Sequence, residues 1–429
     1  MTCFADVARA HFPSLLSGFV FADNAGGSQC TELVAKRIFD YLINTNAQLG
    51  ADYSVSAEST RRVSAGIVAA AQLLNAASSD EIVLGSSSTM NLENLARSIE
   101  GDVLNDEEIV VTVEHEANVG PWKKLAARKG LTLKHWHPRI TDPSNPYSLA
   151  YDVQDLLPLI TPKTRLVAFS ACSNVLGSII PVKNVITAAR SRAAELGVRK
   201  IEFSVDCVAY APHRRMDVQD WDVDYAVFSF YKVFGPHISA LYARAASLRS
   251  SVGPITHHFL QVDTVGYKLQ PGGPGYELVH GVTGVPIYLR SLTPEGTLEA
   301  AFVASAVQES ALCERLLGFL RGHAPRVRIV GDAHNGSSRA PTISFVVQDI
   351  LSRDIVRACD ATGTIGIRYG HFYAHTLVDE LVPKIDINDG VVRVSLVHYN
   401  TVDEVDRIID VLRGVLAGRG DTTWLKSRV

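Results

Sequence analysis

Phe228-Ser-Phe-Tyr-Lys-Val-Phe-Gly-Pro-His237 sets one lysine, Lys232, after an apolar, aromatic run and just ahead of Gly235-Pro236. A lysine at the end of a buried strand is short of water, which lowers its pKa and makes it a Schiff-base former. Read alone, the segment also fits a solvated surface lysine. Upstream, Phe203-Ser-Val-Asp206 closes another apolar run with a carboxylate. By itself Asp206 reads equally as a helix cap.

Three further segments share that placement. Gly85-Ser-Ser-Ser-Thr-Met90 lies between a predicted strand and a predicted helix, where backbone N–H groups and the hydroxyls of Ser86 and Ser87 suit a phosphate or a plain N-cap. Glu114-His-Glu-Ala-Asn118 follows a strand, so His115 either lies over a ring or is an exposed loop residue. Asn174 follows a third strand. Open α/β sheets bind ligands beyond the carboxyl ends of their strands, and Ser86, His115, Asn174, Asp206 and Lys232 all fall there. A lysine for an aldehyde, a carboxylate for a pyridine nitrogen and an anion site for a phosphate together describe pyridoxal 5′-phosphate.

The surrounding pattern is α/β. Strands are expected at Glu81–Leu84, Glu108–Val113, Arg165–Ser170, Lys200–Val205, Tyr225–Phe228 and Ile238–Ala243, with helices at Met90–Ile99, Pro121–Lys129 and Val185–Leu196 between them. The Gly-, Pro- and His-rich segment Ser251–Gly284 reads as a long loop. Beyond it, helices at Thr297–Gly318 and Val402–Leu416 and strands at Arg326–Val330 and Thr342–Val347 suggest a smaller α+β domain. Ser54–Ala77 is an amphipathic helix. The expected division is an N-terminal arm over 1–20, a large cofactor domain over 21–285 and a small domain over 286–429.

Composition narrows the function. The 429 residues carry 41 basic and 45 acidic side chains, a net charge of −4, so no field draws the chain to nucleic acid or to an anionic membrane. The partner expected is a small molecule. Six scattered cysteines (Cys3, Cys30, Cys172, Cys207, Cys313, Cys359) form no framework and read as reduced thiols. Met1–Val20 lacks a signal pattern and no apolar run reaches about 18 residues, so a cytoplasmic protein is expected. His371 and His375 are spaced i, i+4 without a Glu after the first or a third ligand, and no metal is expected.

The residues resemble the class V aminotransferase family of fold-type I pyridoxal-phosphate enzymes, and within it the cysteine desulfurase-like branch. The resemblance runs over nearly the whole chain: Phe21-Ala-Asp-Asn-Ala-Gly-Gly-Ser-Gln29, the serine loop, Glu114–Trp122, Ser173-Asn-Val-Leu-Gly177, the Asp206 strand, the Lys232 segment, Arg368-Tyr-Gly-His-Phe-Tyr-Ala-His375 and Arg393–Thr401. It implies that Lys232 forms the Schiff base, Asp206 pairs with the pyridinium nitrogen and His115 stacks on the ring. Ser87 and Ser229 would hold the phosphate together with Ser86 and Tyr231. Asn174 would lie near cofactor and substrate, Asn24, Ala25 and Arg368 would line the substrate site, and Arg393 would clamp the substrate carboxylate, a task suited to its planar fork. The family also implies a homodimer, with Gly272–Tyr276 crossing to the partner.

Four departures separate the chain from that branch. The loop cysteine that takes sulfur in group II desulfurases is Tyr373, whose phenol cannot carry a persulfide. The glutamine three residues after the aspartate is Ala209, the histidine before the lysine is Tyr231, and the cross-dimer threonine is Gly273. The expected activity is therefore C–S lyase chemistry, a β-elimination on a cysteine-derived amino acid without an enzyme persulfide. Tyr373 would act as a gate or proton donor, or would pack the loop. Transamination, epimerisation, desulfuration through an atypical thiol and a cofactor-free carrier remain the alternatives.

Overall fold

The computed structural model describes residues 3–259 and 264–418. Its central sheet has seven strands: β1 (Ile82–Gly85), β2 (Glu108–Thr112), β3 (Thr132–Trp136), β4 (Thr164–Ser170), β5 (Glu202–Asp206), β6 (Tyr225–Ser229) and β7 (Ser239–Ala243). They lie in the order β1-β7-β6-β5-β4-β2-β3. All neighbours run parallel except β7, which is antiparallel to both β6 and β1. The period of two along each strand feeds two cores. Val167, Phe169, Phe203, Val205 and Phe228 face one side, and Leu166, Ala168, Tyr225, Val227 and Leu241 face the other. Burial on both faces explains why these strands read as continuous apolar runs.

Six of the seven strands lie where the sequence places them, to within two residues. The exception is β3, Thr-Leu-Lys-His-Trp, an edge strand pairing only with β2, whose polar residues at alternate positions hide its β character. The helix Ser88–Ile99 starts two residues earlier than its periodicity suggests, because the Ser87 hydroxyl accepts the Met90 N–H at 3.1 Å. The segment Ser251–Gly284 departs from the expected loop. Val265–Leu269 and Tyr276–Gly281 are short helices, and Val279 is fully buried against Gly66, where a Cβ would stand 2.0 Å from the Val279 carbonyl. Helices this short show no readable period. Part of this segment lies outside the described residues.

The second sheet is antiparallel, in the order β8-β9-β11-β10, formed by β8 (Val327–Val330), β9 (Thr342–Val347), β10 (Arg368–Gly370) and β11 (Val391–Ser395). The cores do not divide at 285/286 as the sequence suggests. Tyr288, Leu289, Leu298 and Phe302 belong to the large core, whereas Leu312, Leu316 and Leu320 of the same helix, Leu298–Arg321, belong to the small one. The arm is likewise split. Phe12 and Leu15 pack in the large core, while Val20–Phe21 pairs with Ile365–Gly366 and Val20 and Ala22 join the small core. Apolar burial, not chain order, decides which unit each segment joins. No helix among the described residues is long and apolar enough to cross a membrane.

The turn after β4 is seated on β9. Gly177 has φ +71°, its carbonyl accepts the Ala340 N–H at 2.8 Å, and a Cβ there would meet the Thr342 carbonyl at 2.2 Å. Gly177→Ala is expected to lower the thermal unfolding midpoint by more than Gly197→Ala, which has a similar φ of +66° in open space and loses only the roughly 1 kcal/mol of backbone strain. Equal losses would show that the turn is not tightly seated.

Candidate active site

The strand ends converge on two adjoining cavities. The inner, of about 100 Å³, is lined by Ser87, Ser88, Thr89, His115, Ser170, Cys172, Asn174, Asp206, Val208, Ala209, Tyr231 and Lys232. The outer, of about 440 Å³, is lined by Ala25, Gly26, Thr89, His115, Asn174, Tyr231 and Lys232 together with Arg368, Phe372, Tyr373 and Arg393. Residues at or just beyond the ends of β1, β2, β4, β5 and β6 thus meet residues from the small sheet and its loop.

Lys232 ends a short 3₁₀ turn, Phe230–Lys232, directly after β6 and is 5% exposed. Burial, then the charge of Arg393, pull its amine down to about 8, against the opposing pull of Asp206 and Asp23. A useful fraction of it is then neutral near physiological pH. Asp206, the last residue of β5, accepts the Val208 N–H at 2.8 Å. Burial raises its pKa, and the Lys232 ammonium opposes that rise.

His115 is fixed by a backbone contact: its Nδ1 accepts the Ala117 N–H at 3.1 Å, which leaves the ring proton on Nε2. Burial, Lys232 and Arg393 hold it down to about 4, so the ring is neutral and apolar enough to stack. Asn174 donates Nδ2–H to the Phe372 carbonyl at 2.9 Å, while its buried Oδ1 has no partner. Arg393, 1% exposed on β11, donates to the Asn174 carbonyl at 3.1 Å and to Asp23 at 2.8 Å, and its guanidinium lies 3.8 Å over the Phe372 ring. Tyr231 stacks on His237 with centroids 5.3 Å apart.

Three residues named from sequence stand elsewhere. Ser86 is exposed and faces a separate groove with Met90, His237 and Gly272–Gly275. Ser229 is buried, its hydroxyl paired with that of Ser239 at 2.6 Å, because its place in β6 turns it away from the cavity. Asn24 is consumed by the Phe21 and Ser395 carbonyls, Asn400 and the Tyr399 hydroxyl, and so anchors the chain beside the cleft. Sequence reasoning passed over Ser88, Thr89, Cys172, Asp23 and Phe372. Ser88, Thr89, Asp23 and Phe372 lie inside motifs already quoted, and the signal that could have raised them was their spacing from the residues singled out there.

The group these residues fit is pyridoxal 5′-phosphate. Lys232 and Asp206 face one cavity, the capped N-terminus of a 12-residue helix opens into it with three hydroxyls, and the unpartnered Asn174 Oδ1 lines it. Where desulfurases keep a cysteine, the loop after β10 carries Tyr373, 65% exposed. Phe372 and Tyr373 have φ of +52° and +60°, and the Tyr373 carbonyl accepts the Glu116 N–H at 2.9 Å. The one thiol lining these cavities is Cys172, which burial and Glu114 push up to about 12. It is a protonated thiol at neutral pH, not a nucleophile.

Behind Asp206 lies a second buried acid. Glu114 accepts the Ser173 hydroxyl at 2.9 Å, and burial pushes it up to about 8 from 4.5. Burial raises both carboxyls, and at Asp206 the neighbouring Lys232 opposes the rise. The folded protein keeps a proton on Glu114 that the unfolded chain releases above pH 4.5, so this group's stabilisation is full below 4.5 and drains away as pH rises towards 8. Glu114→Gln retains an acceptor for Ser173 and removes the titration. It is expected to match wild type in thermal stability near pH 5 and to exceed it at pH 8. Parallel curves would show that Glu114 is ionised throughout.

A family model, Aminotransferase class-V, matches residues 20–408. An aminotransferase-like protein, FGM3, of Gibberella zeae is 40% identical over 413 residues, covering 95% of this chain and 97% of its own. A cysteine desulfurase-like protein, ustD, of Aspergillus flavus is 33% identical, covering 92% and 87%. Among solved structures, the cysteine desulfurase CsdA of Escherichia coli superposes with a TM-score of 0.79 at 24% identity, covering 97% of this chain and 99% of that one. That likeness speaks for the fold-type I architecture, and the sequence relatives for the rest. The chain belongs to the class V aminotransferase family and is a pyridoxal-phosphate-dependent enzyme of cysteine desulfurase-like type.

Proposed function

We propose that this enzyme is a C–S lyase that removes the sulfur substituent of a cysteine-derived amino acid by β-elimination, with no persulfide on the protein. The observation that carries the reading is the loop Arg368–His375, which offers the cleft a phenol and no thiol, while the one cysteine lining the cavities is a buried, protonated Cys172.

Bound pyridoxal phosphate supplies an electron sink adjacent to the substrate Cα. Each protein group then has a task its surroundings suit. Arg393, its plane fixed by Asp23, the Asn174 carbonyl and Phe372, holds the substrate carboxylate. Ser87, Ser88 and Thr89 at the helix N-terminus hold the phosphate. Asp206 would pair with the ring nitrogen and favour its protonated form, and the neutral His115 ring would stack against the cofactor. Lys232, with an amine near 8, takes the proton from Cα at Nζ. Tyr373, 5.6 Å from His115 between ring centroids, donates a proton to the sulfur that leaves. With one water consumed, the products are a thiol, pyruvate and ammonia.

Tyr373→Phe is expected to slow thiol release by about 10²-fold, the scale of general-acid catalysis, while leaving the visible band of the bound cofactor unchanged. The assay scores thiol, pyruvate and new amino acid separately. A new amino acid formed from added keto acid would make the enzyme an aminotransferase. Loss of turnover on alkylating the native cysteines, with fold and cofactor intact, would assign the sulfur chemistry to a thiol.

The reading includes a homodimer. Phe39, Leu42 and Ile43 stand exposed at i, i+3, i+4 on the helix Glu32–Asn44, a stripe that a second copy would cover. Light scattering at assay concentration is expected to give twice the chain mass. An active monomer would overturn this.

A further inference from the structure

Arg368 and Arg393 are direct cross-strand partners in the β10–β11 pair. Like charges in that relation repel when their side chains share a face, and here both line the outer cavity. The carboxylate of Asp23 lies between them, 2.8 Å from the Arg393 Nη2 and 3.8 Å from the Arg368 Nη1. It arrives from a different part of the chain, on the extended segment after Phe21, held by a parallel bridge from Asp23 to Ser395. A tight turn then folds the chain back: the Gly26 N–H donates to the Asp23 carbonyl at 2.9 Å, and a Cβ on Gly26 would stand 2.7 Å from Asp23 Oδ2. The carboxylate therefore occupies space that only glycine leaves open.

We propose that Asp23 is a specificity-determining residue of the amino-acid site: it fixes the Arg393 fork for one carboxylate and cancels one of two guanidinium charges, so that the site discriminates against a second acidic group. This rests on the reading of the outer cavity as the amino-acid site, with Arg393 taking the α-carboxylate. Of the other ionisable groups on the cavity, Glu116 is paired with Lys123 at 3.2 Å, His115 carries no charge, and Lys232 is common to wild type and variants, so that its charge cancels in a comparison between them. A substrate carboxylate meets an Arg393 whose Nη1 and Nη2 each keep one N–H beyond those given to Asn174 and Asp23 and whose buried Nε has no partner, so donors remain for a carboxylate. A second carboxylate on the side chain would face Asp23 across the same guanidinium pair.

Asparagine and aspartate are nearly isosteric and differ in one charge, so their affinity ratio isolates the effect. Each is titrated into the holoenzyme, read by the cofactor's visible band and by the ligand-induced shift in unfolding midpoint. Asp23→Asn is expected to move the ratio at least tenfold towards aspartate. Gly26→Ala, which displaces the carboxylate without removing it, is expected to move it in the same direction and covers the case in which Asp23→Asn does not fold. In Asp23→Asn combined with Arg368→Gln the net charge returns to that of wild type, and the ratio is expected to return with it. An unchanged ratio in the single variants, with stability lost and then restored in the double, would overturn the proposal and leave Asp23 a structural counter-ion. A wild type whose band and midpoint respond to neither ligand, nor to cysteine or alanine, would instead sink the amino-acid reading of the cavity.

Discussion

Lys232, Asp206 and Arg393 are each no more than 5% exposed, so three ionisable groups, two from the large sheet and one from the small, meet at the cavities with almost no water to solvate them. An isolated buried charge is untenable, and each must find an opposite charge or a set of oriented dipoles. Asp206 and Lys232 answer one another, and Arg393 is answered by Asp23, a backbone carbonyl and an aromatic face. Much of the chain's irregular structure exists to bring those partners in. The turn after β4, the extended segment after Phe21 and the loop after β10 all end at one of these three groups. The same shortage of water sets the chemistry, since it lowers the Lys232 amine and keeps His115 and Glu114 neutral.

The turn Ser173–Gly177 is where the two domains share the site. Ser173 is held from below by Glu114, Asn174 reaches Arg393 and Phe372, the Val175 carbonyl accepts the Ser344 hydroxyl at 2.7 Å, and Gly177 rests on β9. A large-domain turn thus fixes a small-domain arginine, and the helix Leu298–Arg321 ties the two cores together along its length. Movement of one sheet against the other would disturb the outer cavity before the inner one, because Arg393 and Arg368 of the small sheet line only the outer.

The large sheet was legible because its strands are buried on both faces and so spell themselves as apolar runs. The edge strand β3, half polar, was not. Lys232, Asp206 and His115, singled out from strand ends and turn signals, do line one cavity. Ser86, Ser229 and Asn24 do not line these two cavities, and neighbouring serines or asparagines in a motif look alike until the backbone decides which one turns inward. Asp23 was inside a quoted motif and went unread, since its meaning depends on a cross-strand pair more than 340 residues away in the chain. The sharing of two cores along the 24-residue helix Leu298–Arg321 likewise has no marker in sequence.

Two successive residues of the loop after β10, Phe372 and Tyr373, hold left-handed backbone conformations that cost non-glycine residues on the order of 1 kcal/mol or more each. They are kept there by the Asn174 amide, the Glu116 N–H and the guanidinium stacked on Phe372. A loop already locked in this way has little conformational freedom left to surrender when a ligand arrives, so binding loses less entropy to ordering than it would with a floppy lid. The rigidity also limits what the loop can become. A thiol placed at position 373 would inherit a fixed backbone rather than the swinging reach that delivering sulfur to an acceptor demands, so changing this side chain alone would not turn the scaffold into a sulfur donor.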